Sequence, residues 1–357
     1  MHKNDVVISF NNTKNAVVVL NKELLPFSMR REVLTFDDIM IFCVNRVIPR
    51  NRAYRNEILQ ACGISNNISD FELCIEAKAL SLRDCYWIKD AYDCSRWEDV
   101  NLYDKHLESG VAYTGVSGRV VMAENVDNLI TGELTLNGTR PKSCISNGRD
   151  IVLAKHLSDD EICVEGLSSM LADLVGIESA YYMPASHAGI ECSACKLLTS
   201  NSVELIPCRD IMIRFRETAS GINTNTFRYF MSKDKERFIK MFLFDYITLN
   251  IDRNRDNYGL LQRDGEIEGL FPLFDHDQCF KGKSVNAVYF PMQLTFKESL
   301  EYLIEYEQDI IETAINDFVV NFCTVVPNAD TIVRRVIGDE AYDEFINRVD
   351  YIIKLIE

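Results

Sequence analysis

The spacing of apolar positions changes along the chain and suggests its organisation. Residues 5–20 set Val6, Val7, Ile8 and Phe10 against Val17, Val18, Val19 and Leu20 across the polar turn at 11–15, the pattern of a hairpin. Helical spacing follows, from caps at Thr35 and Asp37 to the residues before Pro49, then from Asn51 to Cys62 with a stop at Gly63. The tract LSLRDCYWIKD at 80–90 is apolar enough to be core, and Trp87 and Trp97 read as packing groups rather than ligand platforms. From 128 short strands are expected, among them Ile151 to Ala154. A helix capped at Asp159 comes next, with Leu167, Met170, Leu171 and Leu174 on one face and Gly176 at its end. Strands are expected again over 180–215, the last being Asp210 to Phe215, before a Thr-, Ser-, Gly- and Asn-rich stretch at 217–226. Beyond about 228 the spacing is mostly helical. A buried helix covers Met241 to Leu249, an apolar strand-like run covers Leu270 to Phe274, and helices at 298–322 and 330–356 are broken near Pro327 and at Gly338. The expectation is an α+β protein with an N-terminal subdomain at 1–110, a β-rich part at 111–215 and a helical part at 216–357.

Composition narrows the function classes. The 357 residues are 47% apolar and 10% aromatic, as in ordinary globular chains. A net charge of −16 argues against a sequence-independent grip on nucleic acid, which needs a basic face. The lack of a long apolar run predicts no membrane span. The N-terminal MHKNDVVISFNN has no signal-peptide core, so a cytoplasmic protein is expected, with a secreted effector left open. Twelve cysteines scattered through expected cores, such as Cys43, Cys62, Cys163 and Cys323, read as reduced thiols. His187, Cys192, Cys195 and Cys208 contain one Cys-x2-Cys half-site, but no second close pair completes a zinc site. Ser-His-Asp catalysis is disfavoured, because there is no Gly-x-Ser-x-Gly elbow and the five histidines are dispersed.

One constellation carries chemistry. NIDRNRDN at 250–257 offers Asp252 and Asn257 in a polar loop after an apolar helix, and LFPLFDHD at 270–277 delivers Asp275 after an apolar run. A carboxylate, an amide oxygen and a second carboxylate suit phosphoryl transfer: one Asp accepts the acceptor hydroxyl's proton, while the Asn and the other Asp hold Mg²⁺ against ATP. Upstream, TGELTLNGTRPKS at 131–143 joins Gly132 and Gly138 to Arg140 and Lys142, a turn able to approach a phosphate. Lys155 closes the next strand as a candidate for the α/β-phosphates, and Glu165 on the following helix is its candidate partner.

With these residues assembled, the sequence resembles the HipA-like serine/threonine kinases, in particular the bacterial branch related to HipA toxins and the kinase CtkA. The likeness spans about 128–280, and more loosely the helical C-terminus; its most specific part is Asn250-x-Asp252 through Asn257, then Leu273-Phe274-Asp275. It implies a bilobal protein-kinase-like fold with a β-rich N-lobe, a helical C-lobe and an accessory N-terminal region. It implies Asp252 as catalytic base, Asn257 and Asp275 as Mg²⁺ ligands, Lys155 as the ATP-phosphate lysine and Glu165 as its helix partner. Gly138, Thr139, Arg140 and Lys142 would form the phosphate loop, and Ile213 to Phe215 the hinge meeting adenine. Thr135 matches the family's autophosphorylated serine, and an antitoxin-like partner and a protein substrate go with the resemblance. The chain departs from the family at Asn254, where a histidine is usual, and at His276-Asp277-Gln278, where small residues are usual. The alternatives are a nucleotide-binding pseudokinase and a small-molecule phosphotransferase.

Overall fold

The computed structural model describes residues 1–126, 129–146, 149–324 and 328–357, so the onset of strands at 128 and the break at Pro327 lie outside the described residues. The chain divides into two compact units, Met1–Leu157 with Ala185–Glu204, and Ser158–Pro184 with Leu205–Glu357.

Unit 1 opens with the expected hairpin, β1 (Ile8–Asn11) and β2 (Ala16–Val19), in which Ile8 faces Val19 and Phe10 faces Val17. Helix α1 (Phe36–Val44) begins where the Asp38 carboxylate accepts the Thr35 N–H at 2.8 Å. Helix α2 (Arg55–Ala61) starts four residues later than Asn51, because Tyr54 is left-handed at φ 61° and cannot continue a helix backwards. Helices α3 (Asp70–Glu76), α4 (Trp97–Val100) and α5 (Ser109–Ser117) follow. Ile39, Cys43, Ile58, Leu59, Leu73 and Val111 form one apolar core, and Leu82, Cys85, Trp87, Trp97 and Leu102 a second. Both tryptophans are packing groups with their indole N–H satisfied, Trp87 by the Lys3 carbonyl at 2.7 Å and Trp97 by Asn201 Oδ1 at 2.9 Å.

The sheet of unit 1 runs β3 (Lys142–Ser146), β4 (Ile151–Lys155), β6 (Ile190–Lys196), β5 (Met183–His187) in spatial order. No strand forms in TGELTLN; Glu133–Thr135 is a single 3₁₀ turn. Its anchor is the fully buried Glu133, whose Oε1 accepts the Cys144 N–H at 2.8 Å. Arg52, also buried, donates from Nη2 to the Lys142 carbonyl at 2.6 Å. The Gly138–Lys142 turn is therefore clamped on both flanks by buried polar contacts.

Unit 2 opens with α6 (Asp159–Val175), capped by Ser158 rather than Asp159, and closed at Gly176 with φ 76°. Cys163 faces solvent on this helix, off the stripe of Ile162, Glu165 and Ser169, and Cys323 is exposed too, so neither belongs to a core; all twelve cysteines are free thiols. A three-stranded sheet of order β7-β8-β9 comprises β7 (Val203–Pro207), β8 (Gly259–Arg263) and β9 (Glu266–Leu270). Helix α7 (Cys208–Phe215) corrects the strand expected at 210–215. Cys208, Ile211 and Met212 are its buried residues, a spacing of three and four that suits a helix and not alternation.

Helix α8 (Asn225–Thr248) is kinked at Asp234, whose φ of −160° and ψ of 75° are not helical. The freed carboxylate reaches β9, where Asp234 Oδ2 accepts the Leu270 N–H at 2.9 Å. The strand expected through Phe274 stops at Leu270, although the Phe271 N–H still donates to the Gly259 carbonyl at 3.0 Å. Helices α9 (Phe296–Thr324), α10 (Ala329–Ile337) and α11 (Asp339–Ile356) complete the unit, with Gly338 separating the last two. Among the described residues no single helix is long and apolar enough to cross a membrane.

Burial pushes the Glu133 carboxyl up to about 8. Folding therefore favours its protonated form: the stabilisation is whole below the ordinary glutamate value and is lost as pH rises through about 8. Wild type should melt progressively lower as pH is raised across that window, and Glu133→Gln should flatten the dependence. Equal slopes in the two proteins would refute the assignment.

Candidate active site

The loop after α8 is built around a buried charge pair. Asp245 lies in the last turn of α8, and Arg253 in the loop; both side chains are wholly buried. Arg253 grips Asp245 with two parallel bonds, Nε to Oδ2 at 2.9 Å and Nη2 to Oδ1 at 2.8 Å. The carboxylate also accepts from Asn250 Nδ2 at 3.0 Å and from the Tyr289 hydroxyl at 2.9 Å. With its remaining nitrogen, Nη1, Arg253 binds the carbonyls of Asn257 at 2.8 Å and Phe274 at 3.1 Å. Burial alone would favour loss of the guanidinium proton, but Asp245 outweighs it and holds Arg253 charged, above the usual arginine value. One side chain thereby fixes the end of the loop carrying Asp252 and Asn257, and the residue before Asp275.

On that frame Asp252 is held at both oxygens. Asn254 Nδ2 donates to Oδ1 at 3.0 Å, and Asn257 Nδ2 donates to Oδ2 at 3.1 Å and to the Asp252 carbonyl at 2.8 Å. Asn254 is thus an orienting group for Asp252. Burial raises the Asp252 pKa above the ordinary aspartate value; the nearby Asp275 and Asp277 charges raise it further, against the two amides.

Asp275, Asp277 and Glu165 place carboxylate oxygens within 4.8 Å of one another. Glu165 is fully buried on α6, and Asp277 is 5% exposed, so it is no surface charge. In sequence between Asp275 and Asp277, His276 is buried, its ring edge-on to Phe244 at 5.2 Å and Tyr182 at 5.9 Å. Hard oxygen donors this close suit a small divalent cation such as Mg²⁺. Asp252, Asn257 and Asp275 therefore come together, joined by Asp277 and Glu165.

The expected phosphate-binding residues lie in unit 1. Lys155 ends β4, 2% exposed, and its Cα faces that of Lys142 on β3. Gly138, at φ 90°, Thr139 and Arg140 form the exposed turn before β3. Thr135 is 7% exposed and its hydroxyl donates to the Gly132 carbonyl at 3.1 Å. The segment expected as an extended hinge is helical: Ile213 and Phe215 lie in α7, and the Ile213 carbonyl accepts the Arg216 N–H at 3.1 Å. The extended segment is β7, immediately before this helix.

Sequence reasoning missed Asp245, Tyr289 and Tyr182, and marked Asn250 without seeing that it binds Asp245. Asp245 did leave a signal, a single acid inside the apolar run MFLFDYITL, where a buried charge requires a partner. Arg253→Met should leave Asp245 buried without its counter-charge and cost about 3–5 kcal/mol in urea unfolding. A loss within experimental error would show that the pair does not hold the loop.

No protein-family model matches the chain, and no curated protein matches it in sequence. Solved structures do match. The Helicobacter pylori proinflammatory kinase CtkA aligns over 61% of this chain and 89% of its own, at 15% identity and a TM-score of 0.46. HipA of the Shewanella oneidensis MR-1 toxin–antitoxin system, solved with HipB and operator DNA, aligns over 96% of this chain and 94% of its own, at 13% identity and a TM-score of 0.58. The chain has a fold like that of HipA.

Proposed function

We propose that the protein is a Mg²⁺·ATP-dependent kinase that transfers the γ-phosphoryl group to a serine or threonine hydroxyl of a protein. The observation that carries this reading is Asp252, a half-buried carboxylate of raised pKa, held at both oxygens and electrostatically coupled to Asp275 and Asp277. Such a group can orient an acceptor hydroxyl and take its proton. Asn257 and Asp275, with Asp277 and Glu165, are the residues to hold Mg²⁺, which when bound supplies neutralisation of phosphoryl charge. Glu165 joins that cluster in this reading.

In unit 1, Lys155 and Lys142 face each other across β3 and β4, and two cations at facing positions suit a polyphosphate. The Gly138, Thr139 and Arg140 turn would add backbone amides and a further charge. Autophosphorylation at Thr135 would require its buried hydroxyl to leave the Gly132 carbonyl. An antitoxin-like protein partner is proposed by analogy with the HipA–HipB complex and is tested by co-purification with the product of a neighbouring gene.

Purified protein incubated with Mg²⁺·ATP, alone and with a bacterial lysate as acceptor, should gain the mass of one phosphate or transfer it to a lysate protein. Asp252→Asn should do neither while melting like wild type. Transfer by the variant at the wild-type rate would refute the role of Asp252. In the metal-free protein the Asp252 carboxyl should titrate above the ordinary aspartate value of about 4, as followed by carboxyl NMR against Asp252→Asn. A midpoint at or below that value would contradict the environment described for Asp252.

A further inference from the structure

Asp275 occupies a backbone state that needs support. Its φ is 63°, in the left-handed region that residues with a Cβ enter reluctantly. Its N–H donates to the hydroxyl of Tyr182 at 3.0 Å. Tyr182 is 3% exposed, so this bond is made away from water. The residues around Tyr182 also pair with the approach to Asp275: Ala180 N–H donates to the Leu273 carbonyl at 2.6 Å, and Leu273 N–H to the Glu178 carbonyl at 2.8 Å.

The same stretch is tied to the helix that carries Glu165. Ser169 Oγ, one turn beyond Glu165 on α6, lies 3.0 Å from the Glu165 carbonyl and 2.8 Å from the Ala180 carbonyl. It also accepts the Tyr182 N–H at 3.3 Å. Two hydroxyls thus connect the helical turn of Glu165 to the backbone of Asp275, and neither is itself a cation ligand.

We propose that Tyr182 is a positioning residue for the carboxylate cluster: its hydroxyl holds Asp275 in the left-handed state that brings its carboxylate to Glu165 and Asp277. The inference rests on reading those three acids as a divalent-cation site. Without the hydroxyl the backbone can relax toward commoner values, and the ligand set loses its preorganisation.

The test is Mn²⁺ binding to the full chain without nucleotide, followed by electron paramagnetic resonance of the free ion. Tyr182→Phe keeps the ring against His276 and should weaken Mn²⁺ about fivefold, as expected for one lost buried hydrogen bond. Tyr246→Phe, at a 2% exposed tyrosine packed on Phe242 and Phe296, controls for a general loss of stability and should bind Mn²⁺ as wild type does. Equal affinity in Tyr182→Phe and wild type would overturn the proposal, as would an equal loss in Tyr246→Phe. If Tyr182→Phe does not fold, Ser169→Ala carries the same expectation, and wild-type affinity there overturns it. Wild type that binds no Mn²⁺ overturns the cation site itself and the inference with it, whereas a binding wild type with an unaffected Tyr182→Phe overturns the inference alone.

Discussion

The candidate site depends on a buried ion pair that holds the backbone around Asp252, Asn257 and Asp275 from outside that group. Arg253 and Asp245 are both fully removed from water, a costly arrangement unless every hydrogen-bonding position is met. Here Asn250 and Tyr289 add two donors to the carboxylate, and the Asn257 and Phe274 carbonyls add two acceptors to the guanidinium. Replacing such a pair with well-packed apolar groups can be neutral for stability. What apolar groups cannot do is hold two carbonyls from separate segments at one planar fork. Its contribution is therefore geometric, since it fixes where the loop and the strand exit stand before any ligand arrives.

Much of this was legible in the sequence, for identifiable reasons. The hairpin at 8–19, the helices beginning at Phe36 and Asp159, and the C-terminal helices follow periodicities and caps that act locally. Asp252, Asn257 and Asp275 stood out because polar residues cluster where apolar runs end. The failures share a cause as well. Cys208–Phe215 has a short apolar run that fits either period, and packing of Cys208, Ile211 and Met212 decided for the helix. Cys163 and Cys323 looked like core thiols by residue type, whereas burial depends on which side of the helix each one falls. Tyr182 left no trace at all: it acts across 93 residues of chain through a single hydroxyl.

Asn254 shows how one loop amide can serve two neighbours. Its Nδ2 donates to Asp252 Oδ1, and its own oxygen accepts the Asp256 N–H at 2.9 Å. A carboxylate and the backbone after it are thereby oriented by a single side chain.

The kink in α8 has a reach that its position does not advertise. Asp234 leaves the helix to take the Leu270 N–H, and Gly269 beside it sits at φ 141°, with the Asp234 and Arg237 side chains filling the space a Cβ would need. A methyl group there would meet both side chains, six residues before Asp275. This glycine is thus fixed by the room it leaves rather than by any contact it makes, because the groups that close the kink occupy the place of its missing side chain.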